Sequence, residues 1–324
     1  MPTYRCAILD DYQDAAGAAA DWGALGETVH VERFADHIGD RDALAKRLAP
    51  FEVVVAMRER TAFDADLFTR LPNLKLLVTT GMVNASIDLE SARRHGVTVC
   101  GTRGSVGPAA ELAWGLLLSV MRNIPAENAN FHAGGSQWQL GVGRDLMGRT
   151  LGVIGLGKLG QRVARYGQAF GMDVIGWSKN VTPERCLALG IGYAATLHDL
   201  LGKADVVSLH LTLNEGTRGI IGGPEFAAMK RDAVIINTSR GPLIEENALV
   251  RALREGRLGG AGLDTFDVEP VPADHPLRGM PNVVATPHLG YVTAETYRIY
   301  YRDAVEDIAA WVAGTPIRVL NARD

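Results

Sequence analysis

The sequence predicts an α/β protein with two domains, each built around a parallel β-sheet. Short apolar segments of strand length alternate with segments of helical periodicity, first in the N-terminal third and again after residue 150. At 324 residues, the chain is longer than one hydrophobic core usually serves. The second series begins with a glycine motif that the first series lacks, so we expect the two domains to have different roles.

The N-terminal series begins with a strand at residues 4–9, and the Ala-rich residues 15–20 are interpreted as the start of a helix. Further strands are predicted at 53–56, 76–78 and 97–99, and helices at 42–48, 64–71 and 88–95. Each of these three helices opens at an Asp, a residue whose carboxylate accepts hydrogen bonds from the free amides of a first helical turn.

A long apolar helix is predicted at 109–121, followed after Pro125 by a second helical piece that ends near His132 and a loop-like tract at 134–148. We interpret residues 104–148 as an arm between the domains. Its Leu, Trp and Met side chains make it a candidate subunit contact, which predicts a homodimer. The alternative is that the helix is buried in a core.

The glycine motif follows a short apolar strand and precedes a helical pattern. Gly155 allows a tight turn, Gly157 lets a pyrophosphate approach the backbone, and Gly160 lets the helix pack closely on the strand. The amides of the first helical turn, which begins with Lys158 and Leu159, would face the phosphates at the positive end of the helix dipole. The motif therefore predicts a dinucleotide-binding site.

Later strands are predicted at 174–177, 205–210, 233–237, 261–264 and 282–285, with a terminal helix at 293–313. Three of the loops after these strands carry ionisable groups of different kinds, namely Arg240, Glu269 and His288. A single charged loop residue is usually only solvated, but ligands bind at the carboxyl ends of the strands in open parallel sheets. Three such groups after a nucleotide-binding motif indicate an active site.

These loops, the glycine motif, Ile87-Asp88-Leu89 and Ala110-Glu111-Leu112 together resemble the family of D-isomer-specific 2-hydroxyacid dehydrogenases. The resemblance implies two doubly wound, Rossmann-like domains with the active site in the cleft between them. It implies a catalytic domain at 1–103 and 291–324, and a dinucleotide-binding domain at 104–290 that includes the arm. It also implies that Arg240, Glu269 and His288 are catalytic, and that the substrate is a small 2-keto or 2-hydroxy acid such as glyoxylate, hydroxypyruvate or 3-phosphoglycerate.

The chemistry of these residues suits that reaction. Reduction of a 2-keto acid needs a hydride at C2, a proton for the developing alkoxide and a cation for the carboxylate. His288 suits the proton transfer, and Glu269 would fix its ring and favour its protonated form. Arg240 supplies a permanent cation with a fork of donors. This chemistry requires no metal, and the sequence has no cluster of metal ligands.

The resemblance also implies that backbone amides of the loop 79–84, at Gly81 and Met82, hold the substrate carboxylate. Arg58 could reach an anionic substrate tail or could be an ordinary surface arginine. Tyr291 stands where the family more often has a small residue and would narrow the pocket. Trp138 could line the cleft of a neighbouring subunit or pack on its own chain.

Cofactor contacts beyond the glycines are implied at Thr238, Ser239 and Asp264, the last on the nicotinamide carboxamide or, alternatively, as a structural Asp at a strand end. The strand that follows the glycine helix ends in Ser178-Lys179, where an acidic residue would select NAD. These two side chains favour the 2'-phosphate of NADP over NAD, the alternative being a solvated Lys. His210 belongs to the family's cofactor region, although a structural role is expected for it.

The composition excludes several other classes of function. A net charge of −4 gives no basic field for nucleic acid, and no apolar run is long enough for a membrane span. The three cysteines are isolated, and the N-terminus turns acidic before a signal peptide could form, so we expect a cytoplasmic protein. The competing function is a dinucleotide-sensing binding protein, similar to a corepressor, that turns nothing over.

Overall fold

A computed structural model describes residues 3–322 of the chain and divides it into two compact units. The first unit comprises Met1–Ser105 and Val292–Asp324, and the second comprises Val106–Tyr291. Each unit contains one fully parallel sheet with helices, so the predicted α/β class with two parallel-sheet domains is confirmed.

The first unit has a five-stranded sheet in the order β2-β1-β3-β4-β5. Its strands are β1 (Tyr4–Ile8), β2 (Val29–Arg33), β3 (Val53–Ala56), β4 (Leu76–Thr79) and β5 (Thr98–Gly101), and its first helices are α1 (Ala16–Ala19), α2 (Arg41–Leu48), α3 (Ala65–Arg70) and α4 (Leu89–Arg94). A 3₁₀ segment spans Trp22–Thr28. Strand β2 was absent from the sequence prediction because it is a partly exposed edge strand without an apolar run.

Aspartates open three of these helices as predicted, with one shift of position. Asp64 accepts a hydrogen bond from the amide of Leu67, and Asp88 accepts one from the amide of Ser91. In α2 the capping residue is Asp40, which accepts from the amide of Ala43, and not Asp42. The carboxylate two residues earlier has the extended backbone that a capping residue requires.

The second unit has a seven-stranded sheet in the order β12-β11-β10-β9-β6-β7-β8. Its strands are β6 (Thr150–Ile154), β7 (Asp173–Trp177), β8 (Gly192–Tyr193), β9 (Val206–Leu209), β10 (Val234–Asn237), β11 (Gly260–Leu263) and β12 (Val283–Ala285). Its helices are α5 (Gly107–Arg122), α6 (Ile124–His132), α7 (Lys158–Ala169), α8 (Pro183–Ala188), α9 (Leu197–Lys203), α10 (Gly223–Ala228) and α11 (Glu246–Arg254), with 3₁₀ segments at Gly241–Leu243 and Pro276–Gly279. The chain order reverses between β6 and β9, where a doubly wound sheet places its ligand.

Helix α5 corrects part of the predicted arm. Its buried face, which includes Ala110, Trp114 and Leu117, packs against α7, β10 and β11 in the core of the second unit. The alternative of a buried core helix therefore describes α5. Apart from Val106 at its N-cap, the exposed large apolar side chains of the arm lie after α5, at Ile124, Phe131, Trp138, Leu140, Val142 and Met147.

After β12 the chain returns to the first unit, where α12 (Ala294–Val312) packs against α1 and β4. Between residues 3 and 322, no helix combines the length and the apolar character that a membrane span requires. Within the same residues, no group of three or more His, Cys, Asp or Glu side chains is arranged to hold a metal ion.

Candidate cofactor-binding and active site

The three glycines of the motif meet three different demands at the end of β6. Gly155 has a φ of +95°, and a Cβ built there would lie 2.5 Å from the carbonyl oxygen of His210. A Cβ on Gly160 would lie 1.9 Å from the carbonyl oxygen of Gly155, so only glycine lets α7 sit this close to the turn. Around Gly157, in contrast, a Cβ would meet nothing within 4 Å. That open space is where a pyrophosphate could approach the backbone.

A cleft of about 470 Å³ opens at this turn, within the second unit. It is lined by the turn, by the end of β7 and by the segment after β9, including Gly155, Gly157, Trp177, Ser178, Lys179, Arg185, His210, Thr212 and Asn214. Helix α7 has twelve residues, and its N-cap, Gly157, has no side chain to occupy the free amides of the first turn. An anionic dinucleotide fits this combination of an open cleft and a free helix N-terminus.

Two cationic side chains line the cleft: Lys179, which the sequence predicted, and Arg185, which the sequence analysis missed. Lys179 lines the cleft, and its ammonium group donates a hydrogen bond to the carbonyl oxygen of Gly216 at 2.8 Å. Arg185, in the first turns of α8, lines the same cleft. Its nearness to Ser178 and Lys179 in sequence, on the helix that follows β7, is the signal that could have identified it.

His210 occupies a structural position. Its Nε2 lies 2.8 Å from the hydroxyl of Ser208, and its buried Nδ1 has no hydrogen-bond partner among the described residues. Burial lowers the pKa of His210 to about 4, so the ring is neutral at physiological pH. The residue lines the cleft, but it carries no charge there, and its ring contacts Ser208 of the preceding strand β9.

Arg240 follows β10, in a loop that Asn237 folds. The side-chain amide of Asn237 donates to the carbonyl oxygen of Arg240 at 2.9 Å, and its Oδ1 accepts from the amide of Ser239 at 3.0 Å. The hydroxyl of Ser239 donates to the carbonyl oxygen of Leu209 at 2.7 Å, and Thr238 is buried, so the cofactor roles of these two residues stay predictions. Asn237 was not singled out from the sequence.

Glu269 and His288 form a close pair, as the predicted roles require. Oε2 of Glu269 lies 2.7 Å from Nδ1 of His288, and Oε1 of Glu269 accepts the amide of Phe266 at 2.9 Å. Because Nδ1 donates to a carboxylate, Nε2 is the ring nitrogen left for proton transfer. Arg240, Glu269 and His288 follow β10, β11 and β12, which are neighbours in the sheet, so the three loops leave the same sheet edge.

Two features bring these loops together. A Cβ on Gly241 would lie 2.1 Å from the carbonyl carbon of Phe266, so the Arg240 loop packs directly on the backbone that leads to Glu269. His288 has a φ of +56°, which is uncommon for a residue other than glycine. Residues held in that region cluster at active sites, where the surrounding structure fixes them.

Asp264 supplies part of that surrounding structure. Its carboxylate is fully buried and accepts hydrogen bonds from the Thr286 hydroxyl at 2.6 Å, the Leu289 amide at 2.7 Å and the Gly290 amide at 2.8 Å. Burial raises the pKa of Asp264, with those hydrogen bonds opposing the shift. Both oxygens of Asp264 thus anchor the loop that carries His288, which is the structural role named as the alternative, and a contact with the carboxamide stays a prediction.

In the first unit, the loop predicted to hold the substrate carboxylate turns at Gly81, and the role of Gly81 in substrate binding stays a prediction. Its φ of +98° requires glycine, but its amide donates to the hydroxyl of Thr102 at 2.8 Å and is therefore already used. The guanidinium of Arg58 lies over this turn, donating to the carbonyl oxygen of Thr80 at 3.1 Å, so a Cβ on Gly81 would collide with it. Met82 is half exposed, and its role in substrate binding stays a prediction.

The structure shows which rings the aromatic residues Tyr291 and Trp138 contact. The ring of Tyr291 packs edge-on against that of His288, with 5.4 Å between the centroids. Trp138 is 78% exposed and contacts the ring of Phe131. Tyr291 therefore belongs to the surroundings of His288, whereas Trp138 lies on the exposed apolar segment after α5.

A parallel sheet with a glycine turn, an anion-ready cleft and a paired His and Glu at the carboxyl ends of neighbouring strands defines an oxidoreductase that uses a nicotinamide dinucleotide. Comparison with known proteins agrees with this class. The family model described as "D-isomer specific 2-hydroxyacid dehydrogenase, NAD binding domain" matches residues 114–290. The chain belongs to the D-isomer-specific 2-hydroxyacid dehydrogenase family, an oxidoreductase family acting on CH-OH donors, which confirms the resemblance drawn from the sequence.

Individual relatives cover most of the chain. A glyoxylate reductase of Aeropyrum pernix is 38% identical over 268 residues, which are 80% of this chain and 79% of the relative. A D-3-phosphoglycerate dehydrogenase of Methanocaldococcus jannaschii is 37% identical over 80% of this chain, but the match spans only 49% of that longer protein. The crystal structure of a phosphoglycerate oxidoreductase from Vibrio cholerae O395 is 40% identical, with a TM-score of 0.91 over 96% of this chain and 100% of that one.

Proposed function

We propose that this protein is an NADP(H)-preferring reductase of small 2-keto acids such as glyoxylate and hydroxypyruvate, working reversibly on the corresponding D-2-hydroxy acids. The observation that carries the proposal is the 2.7 Å pairing of His288 Nδ1 with Glu269 Oε2 in loops beside that of Arg240. An acid, a residue that orients it and a cation are the three protein groups that this reaction needs.

Each residue has a definite task in this mechanism. Nε2 of His288 gives its proton to the carbonyl oxygen as the alkoxide develops, while Glu269 holds the ring orientation and stabilises the imidazolium. Arg240 binds the substrate carboxylate through its donor fork and polarises the carbonyl. The nicotinamide supplies the hydride to C2 when it is bound. In the oxidation direction the neutral His288 accepts the proton of the hydroxyl group.

The preference for NADP(H) rests on the charges at the cleft. Ser178, Lys179 and Arg185 line it, and the end of β7 carries no carboxylate that would bind a ribose hydroxyl or repel a 2'-phosphate. Replacing Lys179 or Arg185 by Ala should lower kcat/KM for NADPH at least about tenfold each, since a charge-assisted hydrogen bond contributes about 1.5–3 kcal/mol. The efficiency with NADH in the same variants is the internal control and should change little.

A homodimer and a cytoplasmic location are further parts of the proposal. The apolar side chains exposed after α5, among them Phe131, Trp138 and Val142, form a surface that a second copy could cover. Cys6, Cys100 and Cys186 are free and buried, which suits a reducing compartment. Sedimentation of the purified protein tests the dimer, and Trp138→Asp should shift it towards monomer.

The competing function is a sensor that binds a dinucleotide without turnover. Steady-state assays with glyoxylate, hydroxypyruvate, pyruvate and 3-phosphohydroxypyruvate, each with NADPH and with NADH, separate the two functions. The proposal expects oxidation of NADPH with at least one acid and a lower efficiency with NADH. Binding of NADPH without turnover of any acid would favour the sensor, and a large preference for NADH would overturn the assignment of NADP.

A further inference from the structure

The loop that carries Glu269 is largely exposed, and Glu269 makes few hydrogen bonds within it. Residues 267–270 and 272–274 are exposed, and within the loop Glu269 bonds only to the amide of Phe266. Behind the loop lies a small void of about 10 Å³ between Asn237, Thr265 and Leu249, and none of residues 3–322 forms a hydrogen bond with the buried hydroxyl of Thr265.

A second pair of His and Glu lies where the loop returns to the core. Nε2 of His275 is 2.9 Å from Oε1 of Glu246, the first residue of α11. Nδ1 of His275 accepts the amide of Leu277 at 3.3 Å, so the proton of the neutral ring sits on Nε2 and is donated to Glu246. The His275 side chain is 14% exposed, which shields this contact from most competing water.

From His275 the connection to Glu269 is short. The amide of His275 donates to the carbonyl oxygen of Pro272 at 3.2 Å. The guanidinium of Arg278 donates to the same carbonyl at 2.8 Å and to that of Val271 at 2.7 Å. Val271 and Pro272 come directly after the Glu269-Pro270 dipeptide. These hydrogen bonds therefore connect the His275–Glu246 contact on α11 to the backbone next to Glu269.

We propose that His275, bound to Glu246, is a positioning residue for Glu269: the pair fastens the loop to α11 and keeps the Glu269 carboxylate on Nδ1 of His288. The inference rests on the proposed function. Asp267 and Glu246 both place negative charge beside His275, with Arg218 as a nearby cation. In the structure, Nε2 of His275 lies 2.9 Å from Glu246 Oε1.

Two readouts test the proposal on the full-length protein. The first is the NMR signal of the proton on Nδ1 of His288, which is slow to exchange while it is bonded to a carboxylate and is identified by its loss in Glu269→Ala. The second is kcat and KM in keto-acid reduction with NADPH. His275→Ala should broaden or abolish the signal and lower kcat about tenfold, a part of the 100-fold or more that general acid catalysis contributes, with KM within about twofold.

Matched variants separate positioning from general damage. His275→Gln keeps a donor for Glu246 and should restore most of the signal and of kcat, and Glu246→Ala should reproduce His275→Ala from the other side of the contact. His198→Ala removes another His paired with a Glu, His198 with Glu225 at 3.8 Å on α9 and α10, and should change neither readout.

The outcomes are distinct. If His275→Ala and Glu246→Ala both keep the Nδ1 signal and the kcat of the wild type, the proposal is overturned; it is overturned equally if His275→Gln is as impaired as His275→Ala. Should the wild-type protein reduce none of the acids, the proposed function fails, and the Nδ1 signal of the folded variants then decides the positioning role without it.

Discussion

Replacing Asp264 separates the two roles that its position in the sequence allows. Its carboxylate accepts three hydrogen bonds from the segment that carries His288, and it is fully buried. Asn at this site keeps one oxygen, which can still serve the Thr286 hydroxyl and the Leu289 amide. Its NH₂ group would then face the Gly290 amide, so one donor loses its acceptor.

The size of the effect follows from these contacts. One buried donor left without an acceptor costs about 1–3 kcal/mol, so Asp264→Asn should reduce the free energy of unfolding by that amount. The change should fall near the lower end, because burial raises the pKa of Asp264 and the neutral amide avoids burying a charge. Asp264→Ala removes all three bonds and leaves a cavity, so about 3–5 kcal/mol should be lost.

Urea unfolding followed by circular dichroism measures the stability, and quenching of tryptophan fluorescence measures the Kd for NADPH. If Asp264 anchors the His288 loop, both variants lose stability and kcat while the Kd for NADPH in folded Asp264→Asn stays within about twofold. The reasoning is refuted if Asp264→Asn is as stable as the wild type, within about 0.5 kcal/mol, and binds NADPH at least tenfold more weakly. That result would assign Asp264 a role in binding the cofactor.

Two further perturbations test the glycine turn and the buried histidine. Gly157→Val should fold normally but lose NADPH binding, because its side chain would fill the open space at the turn. Gly160→Val should fail to fold, because its Cβ would lie 1.9 Å from the carbonyl oxygen of Gly155. Thermal melts and titration with NADPH compare the two variants. Burial lowers the pKa of His210 to about 4 against about 6.5 in the unfolded chain, so the unfolded state binds the extra proton and stability is lost as pH falls from 6.5 towards 4. At about 1.4 kcal/mol per pH unit, the free energy of unfolding should fall by about 3 kcal/mol, and this loss should be absent in His210→Gln. Urea titrations at pH 7, 5.5 and 4.5 measure it, and an equal loss in both proteins would contradict the expectation.

The sequence was sufficient for those features that depend on local pattern. Buried parallel strands are short apolar runs, and the spacing of the three glycines encodes a turn that requires glycine at Gly155 and Gly160 and leaves open space at Gly157. The positions of Arg240 and His288 followed because catalytic groups in such sheets lie just beyond strand ends. What these predictions have in common is that each depends on neighbours in sequence.

The features that the sequence left open or missed depend on partners distant in sequence. Whether Asp264 faces a ligand or the loop of His288 is decided by residues more than twenty positions away, as is the use of the Gly81 amide by Thr102. The burial of α5 depends on its contact with α7 and β11, which its composition alone leaves open. Arg185 was missed because its helix carries no motif, and only folding brings it to the cleft.

The pairing of Glu269 with His288 is the centre of the account, and His288→Asn tests it most directly. Asn tolerates the positive φ of this position better than most residues, so the loop should keep its shape. The measurement is kcat for glyoxylate or hydroxypyruvate reduction by saturating NADPH, alongside the Kd for NADPH. We expect kcat to fall at least about 100-fold while the Kd stays within about twofold. A variant that retains the kcat of the wild type would contradict the assignment of His288 as the proton donor.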